Sequence, residues 1–180
     1  GDRFIVMELV EGPTLRELLD TEGRLAPERA AEIASRLASA LAFAHGKAVI
    51  HRDVKPSNVL LPPDGGVKLA DMGIARLLSP EALTATLSVR GTALYISPEQ
   101  VRGDPVDPRA DLYSLGCVLF EMLTGRTPFD SRELNQQAVD EIRRTIREKE
   151  PPTPSKRLET MQGDELTTAT QLSAWLDRPV

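Results

Sequence analysis

Helical periodicity dominates two long segments of the chain. From Pro27 to about His45 and again from Arg109 to Thr124, apolar residues recur at steps of three and four, as on one face of a helix. The apolar positions are Ala30, Ile33, Ala34, Leu37, Ala38, Leu41 and Ala42 in the first segment, and Leu112, Leu115, Leu119 and Leu123 in the second. The second segment is apolar over much of its circumference, so we expect it at the centre of the fold.

Two further helices are predicted from the sequence. Thr14 and Glu17 form a capping-box pattern, which predicts a helix from Leu15 to about Asp20. A last amphipathic helix is predicted from Ser131 to about Lys149. The prolines within residues 151–154 should then stop regular structure.

Strand patterns are few. Residues 4–7 form a short apolar run that is typical of the second strand of a hairpin. Residues 59–61 and 67–70 predict a small hairpin around a Pro- and Gly-rich turn, and residues 74–100 predict a long loop. The sequence therefore predicts a mostly helical α+β domain over residues 1–150, followed by a Pro-rich turn and a poorly defined tail over residues 151–180.

Composition excludes several function classes. The chain has 180 residues and a net charge of −5, whereas a nucleic-acid surface needs a basic excess. A single cysteine, Cys117, excludes an internal disulfide and indicates a reducing compartment, so we expect a cytoplasmic location. No secretion signal is present, and the apolar run 112–123 is too short to cross a bilayer. A membrane anchor could still lie elsewhere in a longer parent protein.

Candidate chemistry is concentrated in residues 51–58 and 71–73, on either side of the predicted hairpin. The first segment holds Asp53, Lys55 and Asn58, and the second begins with Asp71. This set of residues suits phosphoryl transfer. It offers a carboxylate to orient a hydroxyl, oxygen ligands for magnesium, and a cation beside them. Taken singly, an aspartate or asparagine in a loop is more often a turn or cap residue.

Several sequence blocks resemble one protein family when taken together and in order. They are residues 7–12 (MELVEG), 51–58 (HRDVKPSN), 71–73 (DMG), 91–92 with 97–99 (GT and SPE) and 111–116 (DLYSLG). From about Phe4 to about Phe129, the chain is similar to the large, C-terminal lobe of eukaryotic-like protein serine/threonine kinases. The resemblance implies ATP and Mg²⁺ as cofactors and a protein or peptide with a Ser or Thr acceptor as the substrate.

The resemblance also implies roles for individual residues. Asp53 matches the catalytic aspartate, and Lys55 matches the lysine that neutralises the moving phosphate. Thr92 resembles the threonine that braces both. Asn58 and Asp71 resemble the two metal ligands.

By the same resemblance, residues 7–14 would contact the nucleotide. Met7 occupies the position that gates the space behind adenine, and the backbone of Glu8 and Val10 would bind the adenine edge. Thr14 lies where the ribose contact falls, and Leu60 resembles the apolar residue under the base. Alternatively, residues 4–10 are a buried strand and nothing more.

Other residues receive mainly structural interpretations. His51 is expected to be packed rather than catalytic, Cys117 to lie in the core, and Asp111 either to cap its helix or to brace the catalytic loop. Arg52 resembles the arginine that pairs with a phosphate on the activation segment in this type of kinase. Three residues are candidate acceptors of that phosphate: Thr84, Thr86 and Ser88.

The chain also departs from the family pattern. No G-x-G-x-x-G is present, and neither are the strand lysine and helix glutamate that fix the phosphates. We therefore expect a fragment of a kinase that is inactive when isolated from its parent. Two alternatives remain: a degenerate kinase remnant that acts as a protein-binding module, and a small-molecule phosphotransferase. Lys55 and residues 91–99 disfavour the second alternative, because they resemble a peptide-substrate platform.

Overall fold

The computed structural model describes residues 7–71, 94–129 and 139–160. Predictions for residues 1–6, 72–93, 130–138 and 161–180 lie outside these described residues. The elements, in chain order, are α1 (Leu15–Glu22), α2 (Pro27–His45), a 3₁₀ turn (Pro56–Asn58), β1 (Val59–Leu60), β2 (Lys68–Leu69), α3 (Pro98–Arg102), α4 (Arg109–Thr124), α5 (Val139–Glu148) and α6 (Pro154–Glu159).

The predicted capping box begins α1. Thr14 Oγ1 accepts a hydrogen bond from the Glu17 amide at 3.1 Å, and Glu17 Oε2 accepts one from the Thr14 amide at 2.7 Å. These bonds satisfy two backbone donors that the first helical turn leaves unpaired. The helix continues two residues beyond the predicted end at Asp20 and stops before Gly23, which has a φ of 75°.

Helix α4 lies at the centre of the fold, as predicted, and it packs most extensively against α2. The predicted stripe of leucines, however, is not its most buried face. Leu112 is 53% exposed, whereas polar residues of the helix, including Asp111, Ser114 and Glu121, are buried. Hydrogen bonds to distant partners allow these polar groups to be buried, and the periodicity of apolar residues does not report such bonds.

The predicted hairpin is present but shorter than expected. Strands β1 and β2 are antiparallel, with Val59 opposite Leu69 and Leu60 opposite Lys68. An isolated bridge joins Leu60 to Thr14, so the segment before α1 lies against the outer edge of β1. The hairpin therefore has the segment before α1 on one side and residues 51–58 at one end.

Two helices correct the sequence predictions. Helix α3 begins at Pro98, within the loop that we predicted over residues 74–100, and it continues to Arg102. Ser97 and Gln100 form its capping box. Helix α6 begins at Pro154, although we predicted that the prolines would stop regular structure. The prolines of residues 151–154 do follow the end of α5. Proline is also well suited to the first turn of a helix, however, and the Thr153 side chain caps α6.

Within the part of the chain that the structure describes, the apolar core has two parts. The larger part joins α1, α2, β1 and α4, and Cys117 is buried within it as predicted. The smaller part lies around α3 and α5 and contains Ile96, Val101, Phe129, Ile142 and Ile146. None of the helices in the described ranges is both long enough and apolar enough to cross a membrane.

Candidate active site

Asp53 and Lys55 lie side by side in the segment between α2 and β1. The backbone at Lys55 is extended, with φ −158° and ψ 160°, so residues two apart point the same way. Lys55 Nζ is accordingly 3.0 Å from Asp53 Oδ2. Asn58 Nδ2 donates to Asp53 Oδ2 at 3.2 Å and to the Asp53 carbonyl at 2.9 Å. The structure thus brings three predicted site residues together around one carboxylate.

Asn58 and Asp71 lie at the same end of the hairpin. The Ala70 amide donates to the Asn58 carbonyl at 2.8 Å. Asp71 is the next residue after Ala70, so its backbone lies close to that of Asn58. Since Nδ2 makes both amide hydrogen bonds of Asn58, Oδ1 is the side-chain atom left to bind a cation. No group of three or more His, Cys, Asp or Glu residues forms a metal site within the described ranges. An amide oxygen and one carboxylate nevertheless fit Mg²⁺, which takes its remaining ligands from phosphates and water.

Arg52, next to Asp53, has a strained backbone. Its φ is 66°, in the left-handed region, which costs a residue with a side chain about 1–3 kcal/mol. The carboxylate of Asp111 compensates, because Oδ1 accepts from the Arg52 amide at 2.7 Å and Oδ2 accepts from the His51 amide at 2.8 Å. His45 Nε2 lies 2.7 Å from the same Oδ2. Asp111 is completely buried, and of its two expected roles it fills the bracing one, because it holds the backbone of His51 and Arg52.

His51 is a buried packing residue, as expected, and its ring is held in the neutral form. Nε2 donates to the Ala70 carbonyl at 3.1 Å, while Nδ1 accepts from the Asp53 amide at 3.3 Å. Burial lowers the pKa of His51, and the Ala70 carbonyl and the nearby carboxylates oppose this shift only in part. Protonation at Nδ1 would place the new N–H of His51 against the backbone N–H of Asp53, and the repulsion would disturb the backbone of Asp53.

This burial predicts a loss of stability in mild acid. The unfolded chain binds a proton at His51 near pH 6.5, whereas the native state resists it until lower pH. The unfolded state therefore binds more protons, and the free energy of unfolding should decrease as the pH falls from about 7 to about 5. Urea unfolding across this range should show the decrease, and His51→Gln should flatten it. An unchanged slope in the variant would show that His51 is not responsible.

Three of the predicted nucleotide contacts, Glu8, Thr14 and Leu60, lie in or against β1 and β2. Thr14 and Leu60 face each other in the isolated bridge, and the Glu8 carboxylate forms an ion pair with Lys68 of β2. Met7 is 63% exposed, so it is not part of a buried strand in this structure. Val10 is only partly exposed.

A close backbone approach fixes the end of the predicted nucleotide-contact segment, residues 7–14. Gly12 has a φ of 121°, and a Cβ atom there would lie 2.3 Å from the Leu61 carbonyl oxygen. The Leu61 amide also donates to the Pro13 carbonyl at 2.9 Å. Only glycine fits at position 12, because any side chain would collide with the Leu61 carbonyl. The close approach and this hydrogen bond together hold residues 12–14 against the end of β1.

Comparison with known proteins agrees with this geometry. The protein kinase domain family matches residues 1–174. The chain belongs to the protein kinase family. Among its relatives, the serine/threonine-protein kinase PknB of Mycobacterium tuberculosis is 46% identical over 163 residues, which is 89% of this chain and 25% of the relative. PknB of Mycolicibacterium smegmatis is 47% identical over 156 residues, covering 86% of this chain and 24% of the relative.

A second kinase of Mycobacterium tuberculosis, the serine/threonine-protein kinase PknL, is 49% identical over 126 residues. That alignment covers 70% of this chain and 32% of PknL. The chain thus spans about a quarter to a third of the length of these relatives. The predicted resemblance to eukaryotic-like serine/threonine kinases and the kinase-like large lobe are confirmed.

Two polar connections in this kinase domain were not predicted from the sequence. Arg16 Nη2 donates to Glu121 Oε1 at 2.6 Å and to Tyr95 Oη at 2.9 Å. Tyr95 in turn donates to Glu121, and burial together with the charge of Glu121 raises the pKa of Tyr95 well above its usual value. The second connection joins Gln100 to the Arg52 carbonyl at 3.0 Å. The Ser97–Gln100 capping-box pattern marks the start of α3 but does not report this contact with Arg52.

Several kinase site predictions lie outside the described residues. These are Thr92, which would brace Asp53 and Lys55, and the candidate phosphate acceptors Thr84, Thr86 and Ser88. Arg52 Nε is buried and has no hydrogen-bond partner among residues 7–71, 94–129 and 139–160. Its predicted pairing with a phosphate stays a prediction.

Proposed function

We propose that the protein containing this chain transfers the γ-phosphoryl group of ATP to Ser or Thr hydroxyls of protein substrates. The observation that carries the proposal is the Lys55–Asp53 pair at 3.0 Å, with Asn58 holding the same carboxylate. The relatives that are named serine/threonine kinases support the reaction class.

In this mechanism, Asp53 accepts a hydrogen bond from the substrate hydroxyl and aims its oxygen at the γ-phosphorus. Lys55 neutralises charge on the phosphoryl group as it moves between the two oxygens. Thr92 would hold these two side chains in register. Little covalent chemistry is required of the protein, so the positions of these charges determine the rate.

Asn58 and Asp71 are the residues that would hold Mg²⁺. A magnesium ion there would supply positive charge to the phosphate oxygens. The adenine would lie between the backbone of Glu8 and Val10 and the side chain of Leu60. Met7 would border the pocket, and Thr14 would face the ribose.

A phosphorylation assay tests this proposal. The protein should be expressed with the coding sequence on either side of this chain, and incubated with labelled ATP, Mg²⁺ and peptide libraries that offer Ser, Thr or Tyr as the sole acceptor. We expect label on the Ser and Thr peptides, little on the Tyr peptides, and none after magnesium chelation. A protein that transfers no label but still captures a protein partner would instead favour a kinase remnant that acts as a binding module.

A further inference from the structure

Both polar atoms of the peptide unit between Arg52 and Asp53 are held by side chains. Its carbonyl accepts from Gln100 Nε2 at 3.0 Å, and its amide donates to His51 Nδ1 at 3.3 Å. Asp111 holds the preceding amide, that of Arg52. Since this peptide carries the left-handed turn directly before the candidate catalytic carboxylate, its orientation determines where Asp53 points.

The partners of Gln100 fix which end of its amide faces Arg52. Gln100 Oε1 accepts from the Ser97 amide at 3.2 Å and lies 3.1 Å from Ser97 Oγ. A backbone amide can only donate, so the atom facing it must be the oxygen. The nitrogen of Gln100 then faces the Arg52 carbonyl, which can only accept. The capping box of α3 therefore orients the side chain that reaches the catalytic loop.

Helix α3 is itself anchored independently of that loop. Val101 lies in the smaller apolar cluster with Ile142 and Ile146 of α5. Ser97 is completely buried, and Ser114 Oγ of α4 donates to the Tyr95 carbonyl at 2.7 Å. Gln100 thus connects a separately packed helix to the backbone beside Asp53.

We propose that Gln100 is a positioning residue for Asp53, acting through the carbonyl of Arg52. This inference rests on the proposed kinase activity. It adds that the placement of α3 sets the geometry of the catalytic loop through one side chain.

Gln100→Glu separates this role from helix capping. Glutamate is as good as glutamine at the third position of a capping box, so α3 should remain intact. Its carboxylate, however, has no hydrogen to donate to the Arg52 carbonyl. In the protein with its flanking coding sequence, we expect kcat to fall by about ten- to a hundredfold. The KM for ATP and the melting temperature should change little.

A pH profile and two other variants complete the test. Protonation of the introduced carboxylate restores a donor, so the kcat of Gln100→Glu relative to wild type should recover as the pH is lowered towards about 5. Ser97→Ala removes part of the cap but keeps the Gln100 donor, and it should retain more activity than Gln100→Glu. Arg102→Ala, on the exposed face of α3, is the matched control and should behave as wild type.

Amide hydrogen exchange gives a readout that does not depend on activity. Residues 51–58 should exchange faster in Gln100→Glu, while α2 and α4 exchange as in wild type. Unchanged exchange there, or a kcat equal to that of wild type, would overturn the inference, as would an equal loss of kcat in Ser97→Ala. If the wild-type protein transfers no phosphate, the proposed function fails, and the exchange result alone decides the role of Gln100.

Discussion

Replacing Asp53 with asparagine should lower kcat by about 10²–10⁴-fold, the range expected when a positioned acid–base group is lost. Asparagine has the same shape and can still accept hydrogen bonds from Asn58 and Lys55, so the local fold should persist. It cannot accept the proton of a substrate hydroxyl with comparable strength. Initial rates at saturating ATP and peptide measure the effect, and thermal unfolding should show a melting temperature near that of wild type.

Asp64→Asn is the matched control for this change. Asp64 lies in the exposed turn between β1 and β2, where Oδ1 accepts from the Gly66 amide at 2.8 Å. The same carboxylate-to-amide change there should leave kcat unchanged. An Asp53→Asn variant that keeps a tenth or more of the wild-type kcat would contradict the role assigned to Asp53.

The sequence predicted which candidate site residues lie together best where they are close along the chain. Asp53, Lys55 and Asn58 lie within six positions, so an extended strand followed by a single turn brings them together whatever the rest of the fold does. Asp71 lies near these residues because the short hairpin between residues 59 and 69 brings the chain back beside Asn58. These contacts depend on local backbone geometry, which sequence patterns describe best.

Connections across the fold could not be predicted in the same way. Arg16 and Glu121 are separated by 105 positions, and Gln100 and Arg52 by 48. Arg16, Gln100 and Glu121 are each of a residue type that is common on solvated helix surfaces. Arg52 takes part through its backbone carbonyl, which no side-chain pattern reports. These pairs come together only because α1 packs beside α4 and α3 packs beside residues 51–58. A periodic pattern of apolar residues does not show which polar side chains will be in contact.

The errors in the predicted elements also have physical causes. Proline both ends a helix that precedes it and fits the first turn of one that follows, so Pro154 was consistent with a stop and with the start of α6. Helix α3 is only five residues long and is too short for a periodic signal. Its sequence signals are only terminal ones: the Ser97–Gln100 capping box, Pro98 at the first position and Gly103 after the last.

Replacing Asp111 with alanine should destabilise the protein by about 3–5 kcal/mol, the range for removing one partner of a buried charged network. The substitution would leave the amides of His51 and Arg52 buried without an acceptor, and it would free the left-handed backbone of Arg52 to relax. His45 would lose its partner as well. Urea unfolding should show a lower midpoint with an unchanged m-value.

Two other variants show whether the hydrogen bonds or the surrounding packing account for the loss. Asp111→Asn keeps one acceptor oxygen and the side-chain volume, so its free energy of unfolding should lie between those of wild type and Asp111→Ala. Asp107→Asn, just before the same helix, changes an exposed carboxylate that pairs with the side chain and amide of Arg109, and it should leave the midpoint near wild type. An Asp111→Ala protein that unfolds at the wild-type midpoint would show that the strained turn before Asp53 does not depend on this carboxylate.

Because the turn and the carboxylate are joined by two hydrogen bonds, we expect stability and catalytic rate to fall together in Asp111→Ala. Asp53→Asn, by contrast, should lower only the rate.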